Sequence, residues 1–363
     1  MPHPALIDAA SATQQLGVSR ATLYAYVSRG LIRSVTGAAD PRARLYMQED
    51  VAALIKQRKR HRRPREAAAT ALDWGLPVLR SAITDIRDQQ LRYRGLDAIE
   101  LSAHWTLEQT ALHLWQAPPA TVWGAPPPAA VKIPARISGL QRGVLALALA
   151  EPAVADDDFS GGMRWMQTLC AAFGGAAQGP LHEALAQGWR RPAAADALRR
   201  ALVLCADHEL NASTFALRVV ASSGADLCAC LQGGLAALSG HRHGGVTQRL
   251  ASALQAGLPA ADIIRQVPGV FGHPLYPGGD PRATALLAHI TPDAAVADLL
   301  SHAAQHGGAS LDLALVALER SAALPPDAAL FIFALGRSAG WIAHAFEQAQ
   351  SGMLIRPRAQ FVA

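Results

Sequence analysis
Four short segments in the second half of the chain gather the side chains best suited to bond making. The first is Asp207-His208-Glu209-Leu210-Asn211-Ala212-Ser213-Thr214, and the second is Ser239-Gly240-His241-Arg242-His243-Gly244-Gly245. The third runs from Pro268-Gly269-Val270-Phe271-Gly272-His273 through Tyr276 to Asp280-Pro281-Arg282. The fourth begins at Leu311-Asp312-Leu313 and is followed by Leu335-Gly336-Arg337 and Ile355-Arg356-Pro357-Arg358. Imidazoles and carboxylates carry protons in general acid–base chemistry, and a guanidinium fork fits a carboxylate bidentately. A single histidine between glycines more often caps a turn or sits at the surface, so it is the set that carries weight. Zinc is not expected. The histidine segments lie tens of residues apart, no His-x-x-x-His pair links them, and His241 and His243 are poorly spaced to converge on one ion.

Such residues need a scaffold, and the sequence around them reads as helical nearly throughout. Apolar residues recur with helical spacing, as in 198–204 and 212–220, and strand signals are scarce. Only Ile32–Tyr46, interrupted by Gly37, Asp40 and Pro41, reads as a hairpin or wing. The expected fold class is therefore all-α. Pro- and Gly-rich breaks fall at 117–128, 174–180, 267–281 and 324–326, and there is no internal repeat. With 363 residues, 51% hydrophobic and 17% charged, the chain can build a sizeable core across two or three domains and is not disordered. No apolar run reaches the ~20 residues of a membrane span. Met1-Pro2-His3-Pro4 lacks the flank of an export signal. Cys170, Cys205, Cys228 and Cys230 form no Cys-x-x-Cys pair and read as reduced thiols, so a cytoplasmic location without membrane contact is expected.

Charge is concentrated at one end. Residues 1–66 hold twelve Lys/Arg and five Asp/Glu, a net +7, against −2 for the rest. This asymmetry points to nucleic acid. Leu16-Gly17-Val18-Ser19-Arg20-Ala21-Thr22-Leu23-Tyr24 reads as helix, turn, helix. Gly17 sits at the turn, Ser19 caps the second helix, and Leu16, Val18, Leu23 and Val27 form the seam. With Pro41-Arg42-Ala43-Arg44-Leu45-Tyr46 and a helix opening at Glu49-Asp50-Val51, the stretch resembles the winged helix-turn-helix of MerR-type regulators over about 55 residues. The resemblance implies base or phosphate contacts for Ser19, Arg20, Thr22 and Tyr24. It implies backbone contacts for Arg42, Arg44 and Tyr46 in the wing, and salt-dependent phosphate contacts for the basic run 56–65. The division expected is 1–66 for this DNA-binding head and 67–363 for the remainder.

Taken in order, the four segments resemble the citrate synthase family, from about Ser81 to the C-terminus. Leu91-Arg92-Tyr93-Arg94-Gly95, the helix behind it at 107–115 and Gly340-Trp341-Ile342-Ala343-His344 join the match. The resemblance implies large and small helical domains, with the part from His243 to about Leu318 (243–318) mobile. It implies condensation of acetyl-CoA, or another acyl-CoA, with oxaloacetate. Asp312 would be the base and His243 the donor to the thioester oxygen, its imidazole kept neutral by a helix N-terminus. His273 would polarise the ketone, His208 would hold the 2-oxo acid, and Arg282, Arg337 and Arg356 would clamp carboxylates. Arg356 would come from a second copy, which implies a homodimer. No metal or cofactor is needed, because acetyl-CoA is a substrate.

The match has departures. Gly179-Pro180-Leu181-His182 is spelled like the family's catalytic histidine segment but lies too early, so His182 is read as structural. Around His243 the chain has His241-Arg242 where Pro-Leu is usual, and Val246-Thr247 where Ala-Asn is frequent. Ser310-Leu311-Asp312 replaces Asn-Val-Asp, and Pro274 with Pro277-Gly278-Gly279 occupies ground where basic residues help hold CoA phosphates. The changes spare the 2-oxo acid clamp and fall on the CoA side. Two functions stay open: a citrate or 2-methylcitrate synthase with a DNA-binding head, and a ligand-sensing transcription regulator built on the same fold.

Overall fold
The computed structural model describes residues 6–28, 31–36, 44–52, 54–55, 79–124, 131–150, 158–359 and 361. Two compact units divide between Arg80 and Ser81. The boundary expected between residues 66 and 67, and the basic run 56–65, lie outside the described residues.

In the first unit Asp8 caps the helix Ala9–Leu16 by accepting the Ser11 N–H at 2.7 Å. Gly17 ends it at φ 61°, a left-handed cap that glycine adopts without strain. The helix Arg20–Ser28 follows, with Ser19 Oγ accepting the Thr22 N–H at 3.3 Å. Leu16 and Leu23 are buried with Ile32, Tyr46, Val51 and Leu54, and Val18 and Val27 pack against them. Strands Ser34–Thr36 and Arg44–Met47 pair antiparallel, and Leu6–Ile7 adds a third strand on the other side of Arg44–Met47. That third strand is only two residues long, too short to show an alternating pattern.

The second unit is mostly helical but opens with an antiparallel sheet, Thr84–Arg87, Gln90–Tyr93 and Leu96–Asp97. The largely helical fold expected is what this unit adopts, and the small sheet is an addition to it. Each hairpin turns on two residues with positive φ: Asp88 and Gln89 at 52° and 62°, then Arg94 and Gly95 at 44° and 88°. This is the tight turn whose twist matches the strands. Its usual Asn-Gly signature is absent, so the strands were not legible in the sequence. Tyr93 points inward, fully buried, and donates its hydroxyl to Val203 O at 3.0 Å.

At the centre lies the helix Ala328–Ser351, 24 residues long. It is apolar enough to cross a membrane, yet 94% of its apolar window is buried. The helices Leu107–Trp115, Ala195–Cys205, Ala212–Ser222, Leu227–Leu238 and Leu311–Ser321 pack on it. Two glycines permit the closest crossing. A Cβ on Gly336 would meet Leu202 O at 2.7 Å, and one on Gly340 would meet Ala206 O at 2.4 Å. The Gly340 N–H donates to that same Ala206 oxygen at 2.9 Å. Backbone atoms cannot step aside as a side-chain tip can. Gly340→Ala is therefore expected to destabilise by about 2–3 kcal/mol, the cost of overpacking. Urea unfolding would show a lower midpoint at unchanged slope, and an unchanged midpoint would contradict the crossing described.

Candidate active site
The tight helix crossing sets down the first site segment. Immediately after the helix Ala195–Cys205 the chain turns through Asp207, His208 and Glu209, the last at φ 50°. Asn211 then caps the helix Ala212–Ser222, its Oδ1 accepting the N–H groups of Ser213 and Thr214 at 3.1 and 3.0 Å. His243 lies in the loop between the helices Leu227–Leu238 and Gly245–Gln255. His273 stands in a glycine-hinged loop laid against the approach to Asp312. Gly272 N–H donates to Gly308 O at 2.9 Å, Phe271 bridges Ala309, and Ser310 N–H donates to Val270 O at 3.1 Å. Ser310 then caps the helix Leu311–Ser321, placing Asp312 in its first turn. A Cβ on Gly308 would lie 2.7 Å from Gly279 Cα, so this crossing also needs glycine.

His208 and His273 meet edge to face with ring centroids 4.9 Å apart, and Tyr276 closes the group with its hydroxyl 2.9 Å from His208 Nε2. His273 Nδ1 accepts the Leu275 N–H at 3.2 Å. In the neutral ring the proton is therefore on Nε2, which can donate to a carbonyl. His243 Nε2 lies 2.8 Å from Ser213 Oγ, which donates to Asn211 Oδ1 at 2.7 Å. A hydroxyl has one proton to give. Given to Asn211, as here, it leaves the imidazole proton on Nε2; turned to His243, it would leave that proton on Nδ1. Ser213 is thus the tautomer control of His243. The sequence reading quoted it without a role, and its signal was its place two residues after the cap Asn211.

Burial, with Arg337 second, takes His243 down to about 4. Burial and then Arg282 do the same to His273, also to about 4, and take His208 well below its ordinary value. His243 stands just ahead of the helix Gly245–Gln255, and burial is the largest influence keeping it neutral. Asp312 moves the other way. Burial pushes it up from 3.8 to about 7, against the pull of Arg282 and Arg337. The fields of these two arginines act together on His208 and Asp312, that of Arg337 on His243 and that of Arg282 on His273. Three neutral imidazoles and a carboxyl that ionises near neutrality thus lie within the fields of two guanidinium groups, in the region called the basin below. A carboxyl poised there is matched to taking a proton from carbon, and neutral N–H groups are matched to holding the oxygens that gain charge.

The arginines are not alike. Arg337, 1% exposed, donates through Nε to Cys205 O at 2.8 Å and lies 4.8 Å over the Phe333 ring. Its terminal fork has no hydrogen-bond partner among the described residues, so it is open to an anion. Arg282 is already engaged, making 3.0 and 2.7 Å contacts to the two oxygens of Asp280. The sequence assigned both the same role. Arg356 stays outside the basin, exposed on a segment whose Ile355 N–H donates to Ser222 Oγ, at the far end of the helix that starts beside Ser213. Among the described residues no group of three His, Cys, Asp or Glu could hold a metal. His182 is buried at the start of the helix Leu181–Gly188, where the charges around it are Glu108, Glu183, Arg199 and Asp196.

In the first unit Arg20 and Tyr24 are exposed, Ser19 and Thr22 share a 3.0 Å hydrogen bond, and Arg44 reaches Ser34 Oγ at 3.3 Å. Arg42 lies outside the described residues. Tyr46 is the correction here. At 1% exposure it is a core residue of the unit, its position fixed by the buried face of the strand, and it cannot meet a phosphate.

A family model described as citrate synthase, C-terminal domain, matches residues 163–358. Citrate synthase 2 of Bacillus subtilis is 31% identical over 193 residues, 47% of this chain and 51% of that one. The chain spans about half the length of the curated relatives it matches. The structure of a citrate synthase from Thermotoga maritima superposes with a TM-score of 0.69 at 23% identity, covering 80% of this chain and 94% of that one. A ternary complex of carboxymethyl coenzyme A and oxaloacetate with the citrate synthase of Thermoplasma acidophilum gives 0.63 at 20% identity, covering 79% and 94%. At these identities the structural likeness speaks to the fold alone.

Proposed function
The chain belongs to the citrate synthase family, and from that premise we propose that it condenses acetyl-CoA with oxaloacetate to give citrate and CoA. One observation carries the reading: a carboxyl raised to about 7 in the same basin as imidazoles lowered to about 4. Asp312 takes a proton from the carbon beside the thioester carbonyl. His243 donates through Nδ1 to the thioester oxygen as charge gathers there, once the Ser213 hydroxyl turns its proton from Asn211 Oδ1 to His243 Nε2. His273, protonated on Nε2, polarises the ketone of oxaloacetate. His208 and the open fork of Arg337 hold its carboxylates. Arg282 contributes fixed charge and, when Asp280 yields, a second clamp. Arg356 belongs to the site of a second copy, making the working unit a homodimer. The thioester is a substrate, and no further cofactor or metal takes part. The test is thiol release from acetyl-CoA and from propionyl-CoA, each with oxaloacetate. Release that requires both substrates is expected, and the faster thioester separates citrate from 2-methylcitrate synthesis.

A second reading is favoured by the closed Arg282–Asp280 pair and by the prolines and glycines at 274 and 277–279. There the basin binds oxaloacetate without turnover and serves as a transcriptional sensor. No thiol release, together with a melting temperature that oxaloacetate still raises, would select it.

The first unit is read as a winged helix-turn-helix that binds DNA through Ser19, Arg20, Thr22, Tyr24 and Arg44, with Arg42 in the wing. Each phosphate neutralised adds about −0.9 to the slope of log affinity against log salt. Arg20→Ala should reduce the slope measured by gel shift by about one. Arg33→Ala should leave it unchanged, because Arg33 is already bound to Asp50 at 2.9 Å and to Glu49 at 2.5 Å. Equal effects of the two variants would contradict this assignment.

A further inference from the structure
Behind the basin runs a line of buried polar groups to which the chemistry above assigns nothing. Asp207 is fully buried and its Oδ1 accepts no hydrogen bond. Its Oδ2 receives the Thr84 hydroxyl at 2.5 Å and faces His344 Nε2 at 3.3 Å. The next link fixes the direction of that second contact. Arg218 Nη1 stands 3.0 Å from His344 Nδ1. A guanidinium can only donate, so Nδ1 accepts and the ring proton is on Nε2, directed at Asp207. Arg218 is held in turn by Glu347 at 2.5 Å and Gln348 at 3.0 Å. Side chains from a strand and two helices, far apart in the chain, thus converge to fix one carboxylate.

That carboxylate lies against the substrate clamp. The strip 205–207 is docked on the helix carrying Arg337 by two contacts, Arg337 Nε to Cys205 O at 2.8 Å and Gly340 N–H to Ala206 O at 2.9 Å. Asp207 Oδ1 sits only 2.4 Å from where a Cβ on Gly340 would be. His208 is the next residue along. Burial pulls Arg337 below its ordinary value, and Asp207 is the largest influence opposing it. Buried ionic groups can often be exchanged for apolar ones without loss of stability, so this one calls for a role beyond holding the fold.

We propose that Asp207 is a positioning residue which, anchored by Thr84 and by His344 with Arg218 behind it, holds the Arg337 fork and the His208 ring in the geometry that receives a carboxylate of the 2-oxo acid. The proposal rests on reading the basin as a 2-oxo acid site. Asp207→Asn keeps the shape and an acceptor but removes the charge. The KM for oxaloacetate, or its Kd by calorimetry, is expected to rise about 10- to 100-fold, the size of losing a charged hydrogen-bonding partner. kcat should stay within about threefold, and the KM for the acyl-CoA should not move. Thr84→Val leaves the charge and removes one hydrogen bond, so a rise of about fivefold is expected. It decides the matter if Asp207→Asn does not fold. A lower melting temperature with both substrate constants unchanged, or an equal loss for both substrates, would mean a structural role and overturn the proposal. If the wild-type protein neither turns over nor gains melting temperature with oxaloacetate, the site reading fails and this proposal falls with it. If the wild type responds and both variants respond equally, the positioning role alone is overturned.

Discussion

Asp312→Asn is expected to lower turnover by about 10²–10⁴-fold, the range that a positioned general base supplies, while oxaloacetate binding stays within about threefold. The asparagine fills the same volume but cannot accept a proton. The assay pairs the initial rate of thiol release with oxaloacetate affinity by calorimetry. Equal loss in both would place Asp312 in the clamp rather than at the reacting carbon. The wild-type pH profile follows from the same group. The base must be ionised, so kcat/KM should rise with pH and level off above about 7. His243 and His273, at about 4, are already neutral there and add no falling limb. Stability runs opposite to rate. The carboxyl's folded value, about 7, is above its ordinary 3.8, so its contribution is fully present below that ordinary value and is lost as pH climbs to 7. Asp312→Asn should therefore melt higher than wild type at pH 8 and show no such gain at pH 4, a crossing that differential scanning calorimetry can follow.

Arg337→Met is expected to abolish measurable oxaloacetate affinity, a loss of at least about 100-fold, because the one open guanidinium fork in the basin is gone. The free protein is expected to melt lower as well, because buried Asp207 loses a neighbouring positive charge and Cys205 O loses its donor. What separates a site built for an anion from an ordinary core contact is the ligand's own effect: oxaloacetate should no longer raise the melting temperature of the variant. A shift as large as that of wild type would assign Arg337 to the fold.

How much of this was legible beforehand varied with how local the signal was. Gly17, Ser19 and the seam of Leu16 and Leu23 could be read because each acts within a few residues of itself. Asp312, His243 and His273 stood out because each sits in a distinctive short segment. What failed was what depends on the third dimension. The sheet at 84–97 turns on Asp88-Gln89 and Arg94-Gly95, pairs whose positive φ no usual signature announces. Tyr46 looked like a wing residue until its strand was paired and one face turned inward. Arg282 and Arg337 looked equivalent, although only Arg282 finds a carboxylate two positions away to close its fork. The pairings of Ser213 with His243 and of Asp207 with His344 could not be read, since the partners lie 30 and 137 positions apart.

The helix Ala328–Ser351 is both the middle of the hydrophobic core and the bearer of Arg337. An opening that moves the backbone beneath Arg337 must open the core as well. Amide hydrogens of that helix should therefore be among the slowest to exchange with deuterium, and saturating oxaloacetate should slow them further by the same factor by which it slows global opening. Ligand occupancy and the lifetime of the entire folded unit are, for this molecule, two readings of one equilibrium.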